Sequence, residues 1–470
     1  MASAISPINQ RLPIPVVLFV LALAFPPELS IELGGLRLSA YRVVILVFLI
    51  PCIFKSLRSK EGHAHLRKLL PVDALIVFHA LWAMLALVAN EGVGQGIESG
   101  GIYMIETVGS YFIARAYIRT ASDFHNLARL MLWLVAVLLM FAILESLSGQ
   151  HLIRDLARGI LGGPPLPFIE PRLGLHRAFT SFDHPILYGI FCGSAFGMAY
   201  YMPVFKNTLL KLAPSLLVSL ATFFSLSSGA FSLLFVQGFL VSWDRITKSI
   251  QGRWAFLIGS VATVWLGLTL ISNRGPIKVF LAYFTFSPST GYNRLRIWEY
   301  GSAEVGRHPV FGIGLGEWER PAWMVSGSMD NFWLAIAVRY GFPAFLFFAL
   351  AVAYVIWKQV ATAQKSEIRV QSRTSWIVTM VGLSLAACTV HFWNSLFCFF
   401  CFFIGAGVWL SVPAKVSRIR RPPYQNEITL FQNERRRLFP SKKLHPTAIS
   451  RPNSTFGTRP ALGKNCRTSR

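Results

Sequence analysis

Basic residues recur in two long stretches of the chain, Ser148–Asp183 and Asn273–Tyr340. Arg154, Arg158, Arg172 and Arg177 lie in the first, and Arg274, Lys278, Arg294, Arg296, Arg307 and Arg320 in the second. A guanidinium is a planar fork that takes two phosphate oxygens at once and stays charged at any physiological pH. As a group these side chains suit an anionic ligand. Any single one is equally well explained by solvation beside Asp155, Glu170, Glu299, Glu304, Glu317 or Glu319. Trp298, Trp318, Trp323 and Trp333 flank a glycine run, Gly312-Ile-Gly314-Leu-Gly316. Such tryptophans anchor a chain at a membrane interface or stack on sugar rings. His184 and His308 each precede a proline and suit either a turn or proton transfer. Neither stretch has His, Asp and Glu clustered at metal-ligand spacing, so no metal and no cofactor is expected.

Membrane spans must position these stretches. The chain has 470 residues, 54% hydrophobic and 14% charged, with mean hydropathy +0.51. A soluble domain has nearer a quarter of its residues charged. A soluble enzyme, a secreted disulfide scaffold and a disordered chain are excluded. The apolar runs are continuous rather than alternating, which excludes a β-barrel. The expectation is an all-α polytopic membrane protein of about twelve spans, near 14–30, 40–57, 71–90, 99–118, 125–147, 184–203, 208–226, 228–243, 254–272, 341–358, 375–391 and 393–411. Residues 1–411 form one membrane domain. The first apolar run, Ile14 to Phe25, lacks a small-residue cleavage site and reads as a span rather than a signal peptide.

Basic residues cluster at Lys55–Lys68, Arg119, Lys206–Lys211, Arg245–Arg253 and Lys358–Arg373. Placing these connections inside puts both termini in the cytoplasm and both long stretches outside it. From Val412 to Arg470 there are 14 basic residues against 2 acidic ones, half of the chain's +24. That tail reads as disordered and drawn to anionic lipid heads, not to nucleic acid. Cys398 and Cys401 form a C-x-x-C between phenylalanines with no second pair, which speaks against zinc or redox chemistry. Glu106 lies mid-span and is expected to make an interhelical hydrogen bond. Asp73 and Arg115, nearer span ends, are expected to snorkel. Met329 to Tyr340 reads as an interfacial helix with Arg339 near its end.

One ordered set of short motifs is distinctive. Arg294-x-x-x-Trp298 is followed by His308-Pro309-Val-Phe-Gly312-Ile-Gly314-Leu-Gly316, then Asp330-Asn331-Phe-Trp-Leu334, then Tyr340-Gly341-Phe-Pro-Ala. In this order, between two spans, the set resembles the O-antigen ligase and polymerase family of bacterial membrane glycosyltransferases, with a core over about residues 215–350. Arg177-Ala-Phe-Thr-Ser-Phe-Asp183-His184-Pro185 looks like the family's lead-in to a span, and Ser225-Leu-Ser-Ser-Gly229 like its inter-span turn. The glycine run does not read as a dinucleotide fingerprint, because no strand precedes it. Glycines there permit positive φ and close backbone approach.

The resemblance implies transfer of a glycan from a polyprenyl diphosphate carrier to an acceptor hydroxyl at the periplasmic face, without a metal. Arg294 matches the arginine that the family places before a tryptophan. Arg177 is the second phosphate ligand and Arg296 a stand-in. Asp330 stands where the ligases commonly carry a His and is the candidate base, with His308 and His184 in reserve. Asn331 and Trp298 complete the substrate-binding set. The ligases also tend to carry an Arg after the Ser of the inter-span turn, where this chain has Ser228 and Gly229. Both departures lean toward a polymerase, an exopolysaccharide relative or a diverged, inactive member. The partners implied are the carrier-linked glycan, a glycan or lipid A-core acceptor, membrane lipids, and chain-length or export proteins. The rival readings are a flippase or transporter for the same lipid-linked sugars, and a non-catalytic component of a polysaccharide assembly complex.

Overall fold

The computed structural model describes residues 11–33, 36–58, 70–163, 165–201, 212–273, 275–276, 279, 288–324, 326–364 and 366–412. The basic tail lies outside the described residues apart from Val412. So do Arg274, Lys278 and most of the basic connections around residues 59–69 and 202–211.

The described chain is helical apart from one hairpin. Helix α1 (Ile14–Leu23) starts after Pro13. It stops before Pro26 and Pro27, which cannot donate to a helix, so the first expected span is only ten residues long. The chain then turns back through β1 (Ser30–Leu33) and β2 (Leu36–Ser39), paired antiparallel with Ser30 opposite Ser39. Helix α2 (Ala40–Arg58) follows. Helices α3 (Pro71–Glu91) and α4 (Val93–Met104) fold back on each other at Gly92. A Cβ on Gly96 or Gly100 would overlap Val88 or Met84, so glycine is what lets these two backbones meet. A π turn, Ile105–Gly109, joins α4 to α5 (Ser110–Tyr117). The Thr120 and Asp123 side chains close a capping box on α6 (Ala121–Ser148).

Next come α7 (Leu152–Leu161), α8 (Pro185–Gly193), α9 (Phe196–Tyr201), α10 (Ala213–Phe223), α11 (Ser228–Ile246) and α12 (Arg253–Ile271). The described residues end with α13 (Pro288–Arg307), α14 (Phe332–Ala361), α15 (Glu367–Ala386) and α16 (Asn394–Gly407), the last extended by a 3-10 turn to Ser411. Helix α16 is apolar on every side and buried along nearly its whole length, so it forms the centre of the bundle. Helix α12 is the opposite case, apolar and almost entirely exposed.

Among the described residues, five helices are long and apolar enough to cross a membrane: α3, α6, α12, α14 and α16 with its extension. Other expected spans are divided: α8 and α9 part at Ser194 and Ala195, and α10 has eleven residues. Helix α14 begins at Phe332 rather than Met329, because Asn331 Oδ1 caps it by accepting from the Leu334 N–H at 3.1 Å. It kinks at Gly341, where φ is +83°.

The charges inside the bundle are paired. Glu106, on the π turn, accepts from Arg42 Nε at 2.8 Å and Tyr41 Oη at 3.2 Å, an ion pair rather than a lone hydrogen bond. Asp73 and Arg115 do not snorkel. They pair with each other at 3.1 Å, and Tyr111 Oη donates to Asp73. At the other end of the helices, the long connections are tied to neighbouring segments. Arg154 binds Glu28, Asn394 Nδ2 donates to Asp183, and the Leu315 N–H donates to Glu91.

Candidate functional site

Four helices, α8, α11, α14 and α16, begin at this end around one cavity of about 690 Å³. Residues at or just before each start line it: His184, Ser227 and Ser228, Asp330, and Trp393. The first-turn N–H groups of a helix carry roughly half a positive charge. Four guanidinium side chains, Arg172, Arg177, Arg294 and Arg339, line the same cavity, with Asp330 as the carboxylate among the lining residues. The convergence makes a site for a multiply charged anion.

Arg172 and Arg177 share the segment before α8, whereas Arg294 and Arg339 lie on α13 and α14. Arg294 lies on α13, is only 6% exposed, and donates from Nη2 to Ser228 Oγ on α11 at 3.1 Å. Its Nε and Nη1 are sealed from solvent with no protein acceptor among the described residues. A buried donor without an acceptor costs about 1–3 kcal/mol, and a phosphate oxygen would satisfy both. Arg177 donates from Nε to the Ser225 carbonyl at 3.3 Å, and Arg172 from Nη1 to the Leu226 carbonyl at 3.0 Å. Burial, reinforced by the Arg172 charge, pulls the Arg177 guanidinium down to about 10, which leaves it charged at neutral pH. Burial also works against the Arg294 charge, partly offset by Asp330. The Asp330 carboxyl is pushed up by burial and held back by Arg294.

The segment carrying Arg177 is pinned by Glu145 at the end of α6. Its carboxylate accepts from the Phe179 N–H at 3.3 Å and the Thr180 N–H at 2.8 Å, and it also binds the His151 ring. Leu173, Thr180, Leu226 and Asn394 are the non-glycine residues with positive φ among those described. All four lie in the segments that build the cavity. Backbone strain of this kind costs on the order of 1–3 kcal/mol per residue and gathers at functional sites.

The glycine run positions Arg339. At the Gly341 kink the carbonyls of Val338 and Arg339 accept from the Ile313 and Gly314 N–H groups, both at 2.9 Å. Gly312 and Gly314 both have φ of +62°, and a Cβ on Gly312 would overlap the Val338 and Arg339 backbone. The run therefore serves as a tight backbone clasp on the kinked helix.

Of the residues expected from sequence, the cavity gathers Arg177, His184, Arg294 and Asp330. His308 is not among them: its side chain is 53% exposed and faces Glu304 at 3.6 Å. Arg296 also lies elsewhere, paired with Glu299 at 3.0 Å and stacked on Tyr292 and Trp323. Trp298 and Asn331 line a second space, an apolar groove of about 590 Å³ that runs along α14 past Trp333, Phe345, Val352 and Ile356. Asp330 and Asn331 are adjacent, so cavity and groove each have a lining residue at the start of α14. Sequence reasoning did not select Arg339, His391, Trp318 or Trp393 for the site. No protein-family model matches the chain, and no curated protein matches it.

Proposed function

We propose that the protein is a membrane glycosyltransferase. It moves a glycan from a polyprenyl diphosphate carrier to an acceptor hydroxyl at the outer face of a bacterial inner membrane. One observation carries this reading: a cavity with four guanidiniums and four helix starts opens beside an apolar groove. A ligand that fills both must be strongly anionic at one point and greasy at the next. A polyprenyl diphosphate has that shape of chemistry. The ordered motifs that resemble the O-antigen ligase and polymerase family support the same reading. So does the orientation that the Lys/Arg distribution favours, with both termini in the cytoplasm and both arginine-bearing stretches outside.

In this mechanism Arg177, Arg294 and Arg172 bind the diphosphate. Fixed positive charge is most useful where negative charge develops, on the departing phosphate oxygen. The acceptor oxygen forms the new bond to the sugar's anomeric carbon as the bond from that carbon to phosphate breaks. Trp393, half-buried at the cavity wall, offers an indole to a sugar ring. Polymerase and ligase share this step and differ in the acceptor, a growing glycan or a lipid A-core. Chain-length or export proteins would be partners in either case.

The test is binding to the purified protein in nanodiscs, comparing undecaprenyl diphosphate with undecaprenol. The reading expects the diphosphate to bind at least tenfold more tightly, and Arg294→Ala to remove most of that preference. Equal binding of the two lipids would contradict it.

A further inference from the structure

We infer that His391 is the group that accepts the acceptor hydroxyl's proton. This rests on the glycosyl-transfer reading above. His391 lies in the turn 387–393, beyond the end of α15, and lines the arginine cavity. Its Nδ1 is sealed from solvent, and no hydrogen bond engages it among the described residues. The turn is held firmly: the Phe332 N–H donates to the Ala387 and Val390 carbonyls at 2.8 and 3.1 Å. The ring stacks on Trp393 at 5.8 Å and faces Phe332 at 6.3 Å.

Of the two histidines in the cavity, His184 is committed. The Ile186 N–H donates to His184 Nδ1 at 3.2 Å, so in the neutral ring the proton sits on Nε2. That nitrogen donates and cannot accept. Asp330 is coupled to Arg294 by charge, without a hydrogen bond or ion pair among the described residues, so the D330N variant separates the two candidates. The charged groups around the cavity are Arg339 on α14, Arg294 on α13, Arg172, Arg177 and Asp330, with His184 across Trp393.

Burial, assisted by the Arg339 charge, holds the His391 ring down to about 4, so it is neutral and basic-form at physiological pH. A bound diphosphate places negative charge in the same cavity and raises that value, because an opposite charge favours the protonated ring. Substrate binding thus brings the base toward working pH. The step balances: the hydroxyl proton passes to imidazole, the oxygen–carbon bond forms, and the electron pair of the carbon–phosphate-oxygen bond leaves with the diphosphate.

Two measurements test this. The first compares wild type, H391Q and D330N for undecaprenyl diphosphate binding and for turnover of carrier-linked glycan from membranes of a deletion strain. H391Q should bind normally and lose about a hundredfold or more of its turnover, whereas R294A should lose both. H391Q with wild-type turnover would overturn the inference and leave the diphosphate reading intact. Failure of wild type to bind the lipid would instead sink that reading. The second follows the histidine resonances of labelled wild-type protein, with H391Q for assignment, as inorganic diphosphate is added. The His391 titration should move to higher pH, and one that stays in place would overturn the inference.

Discussion

Arg294 Nη2 donates to Ser228 Oγ at 3.1 Å across 66 positions of sequence. This bond joins the helix that carries the principal arginine to the start of α11, at the wall of the cavity. Arg294→Ala should remove about 10²–10³ of the transfer rate, the range seen when one charge-stabilising donor is lost. Arg294→Lys should recover little, because an ammonium cannot reproduce the fork. Protein level and transfer should be measured together. Loss of transfer at normal level is expected, and full rescue by lysine would contradict the forked role.

Glu145 never reaches the cavity, yet it fixes the backbone two and three residues after Arg177. Glu145→Ala should lower stability by about 1–3 kcal/mol through two unpaired N–H groups. It should also weaken undecaprenyl diphosphate binding by releasing the Arg177 segment. Unchanged lipid affinity in a destabilised variant would show that the segment holds its place without Glu145.

Gly341 holds φ of +83°, and a Cβ there would overlap the Val310 carbonyl. Gly341→Ala must therefore relax either the kink of α14 or the glycine clasp. The positive φ alone costs about 1–3 kcal/mol, and thermal unfolding in detergent should fall accordingly. Because the clasp also sets Arg339, transfer should fall further than stability explains.

Much of this site was legible in the sequence as charge in an unfavourable place. Arg177 and Arg294 stand out as arginines in stretches expected outside, where topology disfavours them; the ordered motifs single out Arg294 and Asp330 by resemblance, and His184 precedes a proline. Arg339 and His391 were hidden for a physical reason. Each lies next to an apolar run, and hydropathy assigns such residues to a helix end or a span. Only the kink at Gly341 and the end of α15 at Ala386 bring them into the cavity. His308 and Arg296 misled in the opposite way: their carboxylate partners stand within four residues on the same helical stretch. The all-α class was legible throughout, whereas the breaks in α8–α9 and α14 depend on packing that hydropathy does not encode.

The two cavity histidines make stability pH-dependent in a defined direction. His184 and His391 are both held near 4, against 6.5 for an exposed ring, first by burial and then by neighbouring arginines. Between those values the unfolded chain binds protons that the folded chain does not. Their contribution is complete above about pH 6.5 and is lost as pH falls towards 4. The unfolding midpoint should drop over that window, and the H184Q/H391Q double variant should flatten the slope. An unchanged slope would assign the acid sensitivity to other groups.

The central claim is tested most directly by the size of carrier-linked glycan that accumulates when the gene is deleted and then complemented with wild type or R294A. Single repeat units or long chains stranded on the lipid at the outer face, cleared by wild type and not by R294A, are the expected result. Single units would mark a polymerase and long chains a ligase. Normal glycans in the deletion strain, or repeat units trapped on the cytoplasmic face, would contradict glycosyl transfer.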